Sequence, residues 1–586
     1  MIRSGFRTAL LVAAAGMALA TTVSCSQSTD LATAPTPAAE VVAPERDPQT
    51  LRLLYSRSAL TLNPHLATGY QDFEAARIVY EPLASYNQAG ELVPFLADEI
   101  PTAENGGIAA DGTTVPWTLR PDVTWSDGEP FTADDVVFTF EFIRNPVVAA
   151  ATAQYYEGVK SVEAIDDYTV KITFTDPTPA WSVPFTGQTG LILPRHIFEE
   201  HNGPSARDAL ANLQPVGTGP YQAVGFESGT VVYEPNPSYW GGRPAFERVE
   251  LVGGLAPYAA AREVLQTNEA DFAHNLQVEA EALRELETDA SGHVTHLFGA
   301  QVERIMLNFA NPFARTEDGE RSSPDLPHPY FSDLRVRQAI NLAVDRDTIA
   351  KELYGSAGKP TAQLLVAPLD YQSESIAYTY DLERAKALLN EAGWVDTNGD
   401  GLREKDGVAL EVLFQAAVNP VRQKTQTIVS DSLTELGVDV QISRVRLDEF
   451  FSADPKDTQS INHFFADMQV YSIGNENPDP TTYMGWWTCA KIASQANQWQ
   501  QPNNARYCNP EYDRLWQAAK QELAPDRRAE LFQQMNELLA EDVAVIPVVH
   551  RAMTNAVSDR LSEVEFTPWD ASTWAIKDWQ PAPSDS

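Results

Sequence analysis

The sequence predicts an α/β fold, and three observations carry that prediction. Apolar residues alternate by two in short stretches, as at Val170, Ile172 and Phe174 and again at Val438, Val440 and Ile442. Other stretches carry apolar residues at helical spacing behind capping signals. At 586 residues the chain is long enough for roughly two to four domain-sized units, and no internal repeat at a fixed period organises them.

In chain order, the first element is a targeting segment. Arg3 and Arg7 precede an almost wholly apolar run at 8–20, too short to span a bilayer and suited to a secretory signal. It leads to Thr22-Val23-Ser24-Cys25, which resembles a lipoprotein processing site and would make Cys25 the lipidated first residue. Plain signal cleavage, with Cys25 incidental, is the competing reading. Residues 26–48 are dominated by Ser, Thr, Ala, Pro and charge, the composition of a tether. No later apolar run is long enough to cross a membrane.

Residues 117–143 read as two turns and a helix. Pro121-Asp122 and Ser126-Asp127-Gly128 are turn signals; Thr132 has the position of an N-cap with Asp135 three residues on, and Val136, Phe140 and Ile143 share one helix face. Gly217-Thr218-Gly219-Pro220 invites a phosphate-loop reading. It has no following Lys-Ser/Thr and no helix start, so a strand-entry turn is expected. Asp381 caps a helix with Leu382, Ala385, Leu388, Leu389 and Ala392 on one face, and Gly393 stops it. Leu531, Phe532, Met535, Leu538 and Leu539 form a last apolar stripe.

Composition excludes some functions. With 42 basic and 81 acidic residues the net charge is −39, which repels nucleic acid and anionic lipid surfaces. There is no His-Glu-x-x-His and no Gly-x-Ser-x-Gly. Asp396-Thr397-Asn398-Gly399-Asp400-Gly401 opens like a calcium loop, but Gly407 stands where a bidentate Glu is needed, so a turn is expected. The nine His are scattered, with only His293 and His296 close together; nickel would need a cluster, and no cofactor is expected. Paired carboxylates of a glycoside hydrolase stay open, since so many acids always supply pairs. Beyond Cys25 only Cys489 and Cys508 remain, an even pair that in a secreted chain suggests a disulfide closing an exposed loop.

Several stretches occur in the order found in one family. These are Trp117–Ile143, Pro215-Val216-Gly217-Thr218-Gly219-Pro220-Tyr221 with Tyr239-Trp240-Gly241-Gly242-Arg243-Pro244, Arg335–Ala339, Tyr380–Trp394 and Asn509–Asp513. The chain resembles the peptide/nickel group of extracytoplasmic solute-binding proteins, the capture subunits of ATP-driven importers, and most of all its oligopeptide- and dipeptide-binding members. The resemblance implies a two-lobed periplasmic-binding-protein type II fold with an extra subdomain. It sets a signal at 1–24, a tether at 25–48, a first lobe at 49–300 with an insertion near 77–212, a second lobe at 301–540, and a C-terminal return to the first lobe at 541–580. It implies a monomer that performs no chemistry and hands a peptide ligand to permease subunits in the membrane. It also implies the Cys489–Cys508 pairing.

The resemblance points to Tyr471–Pro480 as the place where a carboxylate meets the ligand's α-ammonium. Glu476 is the first candidate, beside Asn475, and Asp479 the second; the relatives' nearby Trp is not matched, and Ile473 or Tyr471 occupies that neighbourhood. The competing reading of Glu476 is a solvated turn carboxylate. Arg422 lies near the place of a ligand-carboxylate Arg, against the reading of a solvated residue at a helix entry. Trp486 either lines the cleft or packs. Oligosaccharides and other cationic solutes remain alternative ligands.

Overall fold

The computed structural model describes residues 47–583. The signal, Cys25 and most of the tether fall outside these residues. Thirteen strands carry the argument: β1 (Thr50–Leu54), β2 (Thr114–Thr118), β3 (Val159–Asp166), β4 (Thr169–Phe174), β5 (Tyr221–Glu227), β6 (Thr230–Pro235), β7 (Arg248–Val252), β8 (Phe272–Ala273), β9 (Gly292–Leu307), β10 (Glu411–Ala417), β11 (Asp439–Val445), β12 (Met468–Ile473) and β13 (Val545–Ser558). Ten of them form the path β11-β10-β12-β9-β13-β8-β1-β7-β6-β5 of an eleven-stranded sheet, and Gly358–Pro360 adds to β13.

β9 and β13 are the longest strands and pair with each other. Both pass from one lobe to the other. β13 gives Val557 and Ala556 to cores of the first lobe, and Ile546, Val548 and Val549 to a core of the second. Beyond β13 the chain packs on the first lobe: the Trp579 ring lies 5.6 Å from that of Phe272, and Asp570 pairs with Arg77. The lobes are therefore joined by an antiparallel ribbon of two strands.

β2, β4 and β3 form a separate three-stranded sheet. Val170, Ile172 and Phe174 of β4 are buried in the predicted alternation. α1 (Ala133–Arg144) covers this sheet and opens with the expected capping box: Thr132 N–H donates to Asp135 at 3.0 Å. The core of this subdomain is continuous with that of the first-lobe sheet. Gly217 is set by close packing. A Cβ there would lie 2.1 Å from the Val79 carbonyl oxygen, and β5 starts directly after the turn.

In the second lobe Asp381 caps α2 (Leu382–Glu391), with Ala385, Leu388 and Leu389 buried and Gly393 at φ +87°. α3 (Pro420–Glu435) follows β10, and α4 (Pro525–Glu541) buries Leu531, Phe532, Met535 and Leu539. β11 departs from expectation: Val438, just before it, is buried, but Ile442 is 40% exposed. β11 is the sheet's edge strand, so neighbours cover its side chains on one flank only. Asp396 accepts N–H groups of Gly399 and Gly401, as a turn would require. Cys489 and Cys508 are joined, with Cα atoms 4.6 Å apart. The loop they close is not exposed throughout: Asn503–Tyr507 is buried, held by the Asn503 amide on the Thr488 and Tyr507 carbonyls.

Candidate functional site

A cavity of about 960 Å³ lies between the lobes. That is at the upper end of the usual range for small-ligand sites. The first lobe lines it with Tyr55, Arg57, Tyr70, Glu74, His274 and Asn275; the second with Asn419, Arg422, Phe451, Tyr471, Ser472 and Glu476; the crossing ribbon with Gly299–Gln301 and Arg551. The lobes touch on both flanks. On one, Asn419 donates to Gln277 at 3.1 Å and Lys424 pairs with Glu279. On the other, Trp486 donates its indole N–H to Gln154 at 3.1 Å, and Lys491 pairs with Glu157.

The crossing ribbon shapes the cavity floor. β9 and β13 pair in register from His293↔Val557 to Phe298↔Ala552, then resume at Val302↔His550. Gly299, Ala300 and Gln301 thus oppose Arg551 alone, a bulge that turns the Arg551 side chain toward the cavity. Arg551 is 6% exposed. Its Nε donates to Ser472 Oγ at 2.7 Å, and its Nη1 to Asn275 Oδ1 at 2.9 Å and the Ala552 carbonyl. Burial lowers its pKa, partly offset by Glu303.

Glu476 is partly buried and lines the cavity. Tyr155 from the first lobe donates its hydroxyl to Glu476. Burial raises the Glu476 pKa; the hydroxyls of Tyr155 and Tyr70 oppose it. Its partners are phenols, so its charge is not matched by a cation among the described residues. The reading of Glu476 as a solvated turn carboxylate is corrected: the turn at Asn475–Asn477 folds inward, with the Asn475 amide donating to the Asn477 carbonyl.

The other expected residues separate. Asn475 and Tyr471 line the cavity, and Tyr471 exchanges hydrogen bonds with Asn504 and lies over the Arg304 guanidinium at 5.2 Å. Arg422 also lines it, and the reading of a solvated residue at a helix entry is corrected. It is buried, not solvated, and its fork is taken up by Glu303, Nε to Oε1 at 2.7 Å and Nη2 to Oε2 at 3.3 Å. The charge of Arg422 is thus already matched inside the protein, through Nε and Nη2. Asp479 is corrected as well: it faces away from the cavity into an ion pair with Arg528 at 2.8 Å and caps the Thr481 N–H. Trp486 lies outside the main cavity, on the inter-lobe flank beside a small void of about 80 Å³.

Sequence reasoning missed Arg551, Tyr70, Tyr155 and Glu74. Only Arg551 left a signal: with His550 it interrupts an otherwise apolar strand run from Val545 to Val549. Glu74 accepts the Tyr55 hydroxyl at 3.0 Å and the Ser572 N–H at 2.8 Å, and lies 3.3 Å from His274. Burial lifts its pKa to about 7, and burial lowers that of His274 to about 3. Both are therefore largely uncharged in weak acid. Among the described residues no group of three or more His, Cys, Asp or Glu is placed to hold a metal ion, and no helix is long and apolar enough to cross a membrane.

Two α/β lobes joined by crossing strands, with a cavity of this size between them that carries several polar groups in a largely apolar wall, define a solute-binding protein. Residues 91–495 match the bacterial extracellular solute-binding proteins, family 5, middle region, and the chain belongs to that family. It is similar to the dipeptide-binding protein of Escherichia coli (strain K12), 25% identical over 519 residues, covering 84% of this chain and 88% of that one. It is 26% identical over 552 residues to di/tripeptide-binding protein 2 of Pseudomonas aeruginosa (strain UCBPP-PA14), covering 90% and 94%. Among solved structures it superposes on NikZ from Campylobacter jejuni in complex with Ni(L-His), at TM-score 0.77 and 24% identity over 91% of this chain and all of that one. The oligopeptide-binding protein AppA from Bacillus subtilis with a nonapeptide gives TM-score 0.74 and 21% identity over 91% and 99%. At these identities the two structures speak for the fold.

Proposed function

We propose that this chain captures oligopeptides between its lobes and delivers them to the permease of an ATP-driven importer. The carrying observation is Glu476, a carboxylate in the cavity wall with phenolic partners and no cation partner among the described residues. An α-ammonium would complete it with a charge-assisted hydrogen bond. The similarity to dipeptide- and di/tripeptide-binding proteins supports the same ligand class. The strand bulge Gly299–Gln301 also lines the cavity, and a strand in the wall suits a ligand held through its main chain.

Glu476→Gln keeps the size and removes the charge. It should raise the Kd for a free-amine peptide by about thirty-fold to several thousand-fold. N-acetylation should weaken wild type similarly and the variant little, read by calorimetry as a double cycle. Additive effects of mutation and acetylation would overturn the assignment. As part of the same reading, Cys25 carries a lipid that holds the protein at the membrane. Cys25→Ala should then move the protein to the soluble fraction with peptide affinity unchanged; unchanged membrane association would refute the anchor.

A further inference from the structure

We propose that the cavity floor is an anion subsite in which Arg551 takes one carboxylate of the ligand, either the α-carboxylate or an Asp or Glu side chain. The proposal rests on the peptide reading above and adds a second pole to it.

Arg422 and Arg551 both feel Glu303, but Glu303 places both its oxygens on Arg422. Arg551 is left with Ser472, Asn275 and a backbone carbonyl, all neutral. A buried cation with only neutral partners is unfavourable by several kcal/mol in general, and an incoming anion relieves that penalty.

A guanidinium has five N–H donors. The Arg551 Nε and Nη1 are engaged, while Nη2 has no protein partner among the described residues. It is not among the polar atoms sealed from solvent without a partner, and the residue lines the cavity, so Nη2 opens onto it. The bulge at Gly299–Gln301 sets this direction.

Asn275 belongs to the first lobe and Ser472 to the second, so the guanidinium is fixed by both where the ribbon crosses. An anion seated there would bind best when both lobes hold Arg551 in place. Arg57, another guanidinium in the lining, has the carboxylates of Asp72 and Asp448 within electrostatic reach and is the weaker candidate.

The test uses calorimetry of the mature protein with the tripeptide Ala-Ala-Ala as free acid and as C-terminal amide, and with the amides of Ala-Glu-Ala and Ala-Gln-Ala. Wild type should prefer one carboxylate-bearing probe over its neutral counterpart by roughly ten- to hundred-fold, and the pair that shows the preference identifies the source of the carboxylate. Arg551→Gln should abolish that preference; Arg551→Lys should keep part of it, and Arg57→Gln all of it. Wild type that binds the set without preference overturns the subsite while leaving the peptide reading intact, and this arm needs no variant to fold. A preference lost in Arg57→Gln and kept in Arg551→Gln moves the site to Arg57 and also overturns the proposal. Wild type that binds no member of the set overturns the peptide reading, and the subsite with it.

Discussion

Arg422 and Arg551 line the same cavity, are both buried, and sit in the field of the same Glu303, yet they are solved differently. Arg422, at the start of α3, has its fork filled by a carboxylate. Arg551, on the crossing strand, has hydroxyl, amide and carbonyl partners and an open nitrogen. The same contrast recurs among the acids: Asp479 is neutralised by Arg528, and Glu476 meets phenols. A charge in a cavity wall is informative about ligands only after its internal partners are counted. Residue type and proximity alone do not separate Arg422 from Arg551 or Asp479 from Glu476.

The comparison can be broken most directly at Glu303. Glu303→Gln leaves the Arg422 charge buried and unpaired, and should cost about 3–5 kcal/mol in urea unfolding. Replacing both Glu303 and Arg422 with apolar residues of similar volume should recover most of that loss. A single-variant cost below about 1 kcal/mol would mean that Arg422 is not held by this pair, and the contrast with Arg551 would fail.

Glu74 sharpens the comparison with a smaller effect, because it shows what a carboxylate in the same wall does without a cation. Its neighbours are Tyr55, Asp570 and the neutral His274. Its folded pKa, about 7, lies above the unfolded value near 4.5. The protonated form therefore stabilises the fold fully below pH 4.5, and that contribution is lost as pH rises through 7. The difference in unfolding free energy between wild type and Glu74→Gln should shift against wild type by about 2–3 kcal/mol between pH 4.5 and 8. A pH-independent difference would show that Glu74 stays ionised throughout.

Local signals carried much of the fold. Alternation placed β4, the Thr132–Asp135 box placed α1, and Asp381 with Gly393 bounded α2, because each depends on residues within one turn or strand. Ile442 escaped that logic, since its exposure depends on β11 lying at the sheet edge. The site was legible to the extent that motif order aligned Glu476 and Asn475 with the cavity. The partners of Arg422 and Asp479 were not legible, because Glu303 is 119 positions and Arg528 49 positions away in sequence. No local pattern reveals such partners. Arg551 required the ribbon register itself, which pairs β9 with a strand some 250 residues later.

The bulge at Gly299–Gln301 also has a mechanical consequence. It ends the ladder that runs from Gly292 to Phe298, and a second register shift between Glu303 and Arg304 interrupts the pairing again before it continues to Met306. A ribbon interrupted in this way has fewer ladder hydrogen bonds where the lobes meet than along its first-lobe ladder, so it is least braced at the crossing itself. Resistance to opening then resides in the flank contacts, Tyr155 with Glu476, Gln154 with Trp486, Glu157 with Lys491, and Gln277 with Asn419. These are all polar, and a ligand bridging Glu476 to Arg551 would add its own contacts to theirs.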